Sequence, residues 1–251
     1  MLASMTLIVS HRGGATLWPE NSRIAFENTA RLPVDQVEFD VHFSADERLV
    51  VIHDATLERT TDGTGPVVAR TWAELSRLTL RGTGGDRMLL LDEVIELFRP
   101  TPLGLRVEIK PGPNRAPYRG LSQCVVNVLR DQGVLDRSTV TSFQLGTVCE
   151  AAAAVRPAMH AWLVTPDLQT DLGIEGIVAT ARTNGVPMLA LRSDRIDEAI
   201  IAQVQAQNLV LGAWACNDEA IIRRVFQLGV AGFTTDRPDI ALRLRPQNRR
   251  L

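Results

Sequence analysis

Two spacings of apolar positions alternate along the chain. Short runs rich in β-branched and apolar residues predict strands over residues 6–10, 36–43, 49–53, 105–110, 138–143, 159–164, 187–191, 209–213 and 231–235. Between most of these runs the apolar positions return with helical spacing, which predicts helices over 22–31, 91–98, 121–132, 145–155, 173–184, 196–207 and 219–228. Asn21 and Ser22 resemble helix N-caps, and Gly133, Gly185 and Gly229 resemble C-terminal stops.

Strand and helix in alternation imply a mostly parallel sheet. About eight such units in 251 residues favour closure into a (β/α)8 TIM barrel, an α/β fold of typically about 250 residues, over an open doubly wound sheet. No GxGxxG follows the first strand, which argues against dinucleotide binding. One region breaks the rhythm. Residues 54–88 are rich in Thr, Gly and Arg and read as an insertion between barrel elements, with one short helix over 71–78. Pro111, Gly112, Pro113 and Pro117 mark a second loop. Without repeats, low-complexity tracts or linkers, residues 1–251 read as a single catalytic domain.

A parallel barrel presents its chemistry at the C-terminal ends of its strands, and there this chain is polar. The first strand runs into His11-Arg12-Gly13-Gly14, the second carries Glu38-Phe39-Asp40, another ends at His53-Asp54, and a fourth carries Glu108-Ile109-Lys110. Side chains two apart on a strand share a face, so Glu38 joins Asp40 and Glu108 joins Lys110. Three carboxylates converging in a partly buried mouth repel one another. They either take up protons or hold a cation, and hard oxygen donors suit Mg²⁺, Ca²⁺ or Mn²⁺. An ordinary ion-pair network with Arg and Lys would answer the same pattern. His11 and His53 read as a structural pair or as a proton acceptor and donor near neutral pH, and Arg12 and Lys110 suit a phosphate. His42 shares the face of Glu38 and Asp40 and reads as filler. A metal, two histidines and a phosphate clamp together describe phosphodiester cleavage.

Composition adds limits. With 45% hydrophobic and 22% charged residues the chain is an ordinary globular one, and a net charge of −2 gives no sign of a nucleic-acid partner. The basic run Arg243, Arg245, Arg249 and Arg250 reads as a solvated tail. Cys124, Cys149 and Cys216 form no CxxC and no even-numbered framework, which suits reduced thiols in the cytoplasm. The stretch before His11 lacks a basic start and is too short for a signal peptide, and no apolar run is long enough for stable membrane insertion. The oligomeric state leaves no mark on the sequence.

These residues resemble a known family, the glycerophosphodiester phosphodiesterases. The resemblance rests on His11-Arg12-Gly13, on Pro19-Glu20-Asn21-Ser22, on Glu38-Phe39-Asp40-Val41 and on the long stretch 49–65 around His53. It continues through Leu91-Asp92-Glu93-Val94, Glu108-Ile109-Lys110-Pro111, Ser142-Phe143, Trp214 with Asn217-Asp218, and residues 229–238, in the family's order over nearly the whole chain. The stretch around His53 is the most specific match and Ser142-Phe143 the least. The resemblance implies that Glu38, Asp40 and Glu108 hold Mg²⁺ or Ca²⁺, that His11 and His53 are the acid–base pair, and that Arg12 and Lys110 hold the phosphate. It implies further that Trp214 and Phe143 line the pocket, that Glu20 and Asn21 lie near it, and that residues 54–88 are an insertion capping the barrel mouth. The small-molecule substrate implied is a glycerophosphodiester, hydrolysed to glycerol 3-phosphate and an alcohol. Trp214-Ala215-Cys216-Asn217 departs from the family's usual Trp-Thr-Val-Asn.

Overall fold

A computed structural model describes residues 5–154 and 159–246. Eight parallel strands close on themselves: β1 (Leu7–His11), β2 (Gln36–Phe43), β5 (Gly104–Ile109), β6 (Ser138–Ser142), β7 (Met159–Leu163), β8 (Met188–Arg192), β9 (Val210–Trp214) and β10 (Gly232–Thr235). The ring is sealed where Leu7 to Ser10 pair with Gly232 to Thr235 and Val9 to His11 pair with Gln36 to Glu38. This is the (β/α)8 barrel expected from the alternation. The helices between strands are α1 (Arg23–Thr29), α3 (Leu91–Phe98), α4 (Leu121–Asp131), α5 (Leu145–Ala154), α6 (Pro166–Thr183), α7 (Glu198–Ala206) and α8 (Glu219–Leu228), and α9 (Pro238–Leu244) follows the last strand.

Local chemistry sets these boundaries. The Ser22, Asp197 and Asp218 side chains accept from the backbone N–H of Ala25, Ile200 and Ile221, so α1, α7 and α8 start where a side-chain oxygen satisfies a free donor. Gly133, Gly185 and Gly229 follow their helices at positive φ, as stop residues do. Asn21 is no cap: its φ is 53° and its amide turns inward to Asp40. Every residue of β2 after Gln36 is buried, because one face meets the barrel interior and the other the helix layer. Phe26, Phe39 and Phe98 pack edge to face in that layer, with centroids 5.9 Å apart in each contact Phe26 makes.

Four further expectations change. The run 49–53 is not a barrel strand. Only β3 (Leu49–Val51) forms, antiparallel to the end of β2, and it pairs outward with the two-residue β4 (Leu89–Leu90). Between them lies the short α2 (Trp72–Leu75), inside the predicted 71–78. Val50, Ile52, Leu57, Val67, Leu75, Leu80, Met88 and Leu90 form a small core of their own, separate from that of the barrel. Second, α6 begins at Pro166 rather than 173, because Thr165 caps it; Gly173, at φ 64°, breaks it where a start was expected. Third, Pro238 at the first helical position starts α9. Fourth, Arg243 lies on this helix and Arg245 caps it, so neither is in a tail: Arg243 stays exposed while bonding Glu219, and Arg245 is held by Asp35 and the Pro33 carbonyl. Arg249, Arg250, the last residue of the 145–155 helix and residues 1–4 lie outside the described residues. No helix among the described residues is long and apolar enough to cross a membrane.

Candidate active site

At the C-terminal end of the strands, register sets the neighbours. His11 of β1 stands beside Glu38 of β2, and Asp40 of β2 beside Glu108 of β5. One oxygen from each of Glu38, Asp40 and Glu108 lies within 4.8 Å of the others, and all three residues are buried. Two cations brace them. Lys110 Nζ donates to Glu108 Oε1 at 2.6 Å and lies 3.4 Å from Asp40 Oδ1. Arg12 donates its backbone N–H to Glu38 Oε2 at 3.1 Å and sets Nε 3.3 Å from Asp40 Oδ2. The ion-pair network foreseen as an alternative to a metal is thus present.

That network leaves acceptors over. Glu38 Oε1 and Asp40 Oδ1 are buried without a hydrogen-bond partner. Burial, then the charge of Asp40, pushes the Glu38 carboxyl well above the usual carboxylate range. Burial works the same way on Asp40, but Lys110, His53 and Arg12 outweigh it and hold Asp40 well below that range. Hard carboxyl oxygens at this spacing, two of them without a hydrogen-bond donor, fit a divalent cation, whose charge would also favour the ionised form of Glu38.

Each histidine is pinned by an aspartate. His11 Nδ1 lies 2.5 Å from Asp236 Oδ1, and Asn217 holds the other oxygen at 2.5 Å while accepting the Asp236 backbone N–H at 2.8 Å. His53 Nδ1 lies 2.6 Å from Asp54 Oδ1. Carboxylates accept, so both Nδ1 atoms carry the proton and both Nε2 atoms are left for exchange. Burial would lower the pKa of His11; Glu38 and Asp236 outweigh it and raise it.

His11, Arg12, Glu38, His53, Glu108, Lys110, Phe143 and Trp214 all line one cavity of about 250 Å³. Asp40 does not reach its surface; it is fully buried behind, where the Asn21 amide donates to it at 2.9 Å. On the side of β6 to β9 the wall is apolar, and Lys110 Nζ lies 5.9 Å from the centre of the Phe143 ring. Phe143 and Trp214 meet edge to face at 5.5 Å, beside Leu163, Ala190 and Ala213. Arg12, Asn21 and Ala215 take positive φ although none is glycine, a strain that collects at functional sites.

The profile of the glycerophosphoryl diester phosphodiesterase family matches residues 11–240. The chain belongs to that family. A glycerophosphodiester phosphodiesterase of Bacillus altitudinis is 30% identical, with 97% of this chain and 99% of that protein covered. A crystal structure from Agrobacterium tumefaciens, provisionally named a glycerophosphoryl diester phosphodiesterase, superposes with a TM-score of 0.93 at 37% identity, covering 96% and 97% of the two chains. An Oleispira antarctica phosphodiesterase, solved in complex with the product sn-glycerol-3-phosphate, shares the fold at a TM-score of 0.81 and 23% identity, with 96% of each chain covered. The glycerophosphodiester phosphodiesterase fold and its enzyme class are therefore those of this chain.

Several partners carried no expectation of a role. Asp236 and Asn217 stand far from His11 in sequence, and only closure of β10 onto β1 brings them to it. Asp54 adjoins His53, so that signal was available. His42, read as filler, is buried outside the cavity, with Nδ1 3.1 Å from the Tyr118 hydroxyl and Nε2 donating to the His53 carbonyl at 3.0 Å. Burial pushes its pKa down to about 4, so this ring is neutral at pH 7.

Proposed function

We propose that the protein hydrolyses glycerophosphodiesters to glycerol 3-phosphate and an alcohol, using Mg²⁺ or Ca²⁺ held by Glu38, Asp40 and Glu108, with His11 and His53 moving the protons. One observation carries this reading: three buried carboxylates, two of them (Glu38 and Asp40) with an oxygen that has no hydrogen-bond partner, meet beside a cavity lined by two histidines whose Nδ1 atoms are both held by aspartate. A divalent cation bound there would neutralise charge on the phosphate and make a neighbouring hydroxyl easier to ionise. Arg12 and Lys110 stand at the same edge and supply the phosphate with positive charge. One Nε2 removes a proton from the attacking hydroxyl. The other delivers one to the departing alkoxide, which is a poor leaving group without it. Phe143 and Trp214 cover the carbon skeleton of the substrate. The insertion, which follows β3 and begins beside His53, caps the mouth and contributes to the choice of alcohol. Three free thiols support a cytoplasmic setting.

The test is release of glycerol 3-phosphate from glycerophosphocholine, with and without EDTA and with Mg²⁺ or Ca²⁺ added back. Turnover should stop on chelation and return with metal. Full turnover in a chelated sample removes the metal from the proposal, and no turnover on any glycerophosphodiester removes the function. His11→Ala and His53→Ala should each lose roughly 10²–10⁴-fold in kcat. A nitrophenyl ester, whose leaving group needs no acid, should rescue only the variant lacking the acid. Rescue of both variants, or of neither, contradicts the division of labour.

A further inference from the structure

The insertion sends one side chain back to the barrel. Arg59 Nε and Nη2 donate to the two oxygens of Asp54 at 2.6 and 2.9 Å, and Nη1 and Nη2 donate to the two oxygens of Glu20 at 2.6 and 2.8 Å. The planar guanidinium is thus shared by two carboxylates, each gripped at both oxygens. Each carboxylate has one further charged neighbour. Asp54 Oδ1 holds His53 Nδ1, and Glu20 Oε1 accepts from Arg12 Nη1 at 3.1 Å.

We infer that Arg59 is a positioning residue for both halves of the reaction, fixing His53 through Asp54 and Arg12 through Glu20. The inference rests on the function proposed above. Isolated surface ion pairs contribute little, and the Arg59 side chain is 46% exposed. The geometry is of another kind. Glu20 and Asp54 are only 15% and 28% exposed, and a shared planar fork holds both at fixed angles, which a lysine ammonium cannot reproduce. Without Arg59, Glu20 would face Arg12 alone and Asp54 would be free to turn from His53. Glu20 and Arg59 are 39 positions apart, so the contact also ties the insertion to the loop after β1. The insertion then serves the chemistry, beyond any part it has in choosing the alcohol.

The two arms predict separable kinetic effects. The Asp54 arm acts on proton transfer and should appear in kcat. The Glu20 arm acts on phosphate binding and should appear in KM. Arg59→Ala should lower kcat/KM by roughly 10- to 100-fold, the range seen when groups that brace functional side chains are removed. Arg59→Lys should recover little of this, and guanidinium ion added to Arg59→Ala should recover part of it. Arg59→Ala should cost no further kcat in an Asp54→Asn background and raise KM no further in a Glu20→Gln background, because coupled residues are not additive. Arg59→Ala kinetics within twofold of the parent, or additive losses in both double variants, overturn the inference. Should Arg59→Ala fail to fold, by circular dichroism, Arg59→Lys decides, and parent-like kinetics there overturn it. A parent protein inert on glycerophosphocholine refutes instead the functional reading on which this rests.

Discussion

Replacing Asp236 tests the histidine geometry most sharply, because the structure predicts an order of effects that runs against side-chain size. Asp236→Ala removes the acceptor from His11 Nδ1. A hydrogen bond to a charged group contributes about 1.5–3 kcal/mol, so the loss in kcat should be roughly 10- to 150-fold. Asp236→Asn changes less matter and should do more harm. Asn217 Nδ2 donates to Asp236 Oδ2 at 2.5 Å, and that bond survives only if the new amide oxygen faces Asn217. The new NH₂ then faces His11 Nδ1, at the 2.5 Å contact where a carboxylate oxygen now sits. A donor there forces Nδ1 to accept, so the proton moves to Nε2 and the working nitrogen is blocked. The corresponding change in a serine protease triad costs about 10⁴ in kcat, and a loss approaching that size is expected here. The assay is kcat on glycerophosphocholine at saturating cation, with calorimetric cation binding as a control that the carboxylates are undisturbed. Asp236→Asn milder than Asp236→Ala, or either variant within threefold of the parent, would refute the tautomer argument.

Other consequences are simpler to state. Glu108→Gln should weaken cation affinity by at least about tenfold, the floor for groups that merely brace a ligand; unchanged calorimetric affinity would exclude Glu108 from the donor set. Gly13→Ala should destabilise the fold by about 2–4 kcal/mol in urea unfolding, since Gly13 has φ +79° and a Cβ there would lie 2.8 Å from the Ala25 Cβ; a smaller loss would mean that α1 yields easily. Burial pushes the hydroxyl of Tyr118, the chain's one tyrosine, up to about 12. With its folded pKa above the unfolded value of about 10, the contribution of Tyr118 to stability is present below pH 10 and lost as pH rises towards 12. Tyrosinate absorbance should therefore lag in the native protein behind that of the chain in denaturant, and coincident titrations would contradict its burial.

The legible part of this protein was the part written in short-range spacing. Glu38 with Asp40, and Glu108 with Lys110, could be placed on shared faces because a strand repeats every two residues, and the register of β2 against β5 brings the two pairs together as that spacing required. What stayed hidden depends on closure or on competition between segments. Nothing near His11 announces Asp236, 225 positions away. The run 49–53 has the composition of a barrel strand, and only its antiparallel pairing with Val41 to Phe43 excludes it from the ring. Gly173 looks like an ordinary helical start after a polar stretch, yet Thr165 accepts from the Leu168 N–H and begins α6 earlier. In α9 the arginines dominated the reading, although Pro238 and the buried Ile240 and Ala241 carried the helical signal.

The interior of the barrel shows why its mouth is divided. Gln36, Glu38 and Asp40 on β2, and Arg106 and Glu108 on β5 with Lys110 just beyond it, occupy positions that a barrel normally fills with branched apolar side chains. Such a row is tolerable only if it satisfies itself. Arg106 Nε and Nη2 both donate to Gln36 Oε1, at 3.1 and 2.9 Å, which closes the lowest layer. The layers above use Lys110 and Arg12, and only there do carboxylate oxygens remain without a hydrogen-bond donor. The polar column is therefore complete at depth and incomplete at the mouth, which is the profile of a site and not of a structural ion-pair network. On the side of β6 to β9, Phe143, Leu163, Ala190, Ala213 and Trp214 offer almost no charge. A substrate lodged between these walls must be anionic on one side and carbon-rich on the other. A phosphodiester carrying glycerol meets that requirement. A free inorganic anion leaves the apolar wall exposed to water, and an uncharged lipid chain brings no anionic group to the charged wall.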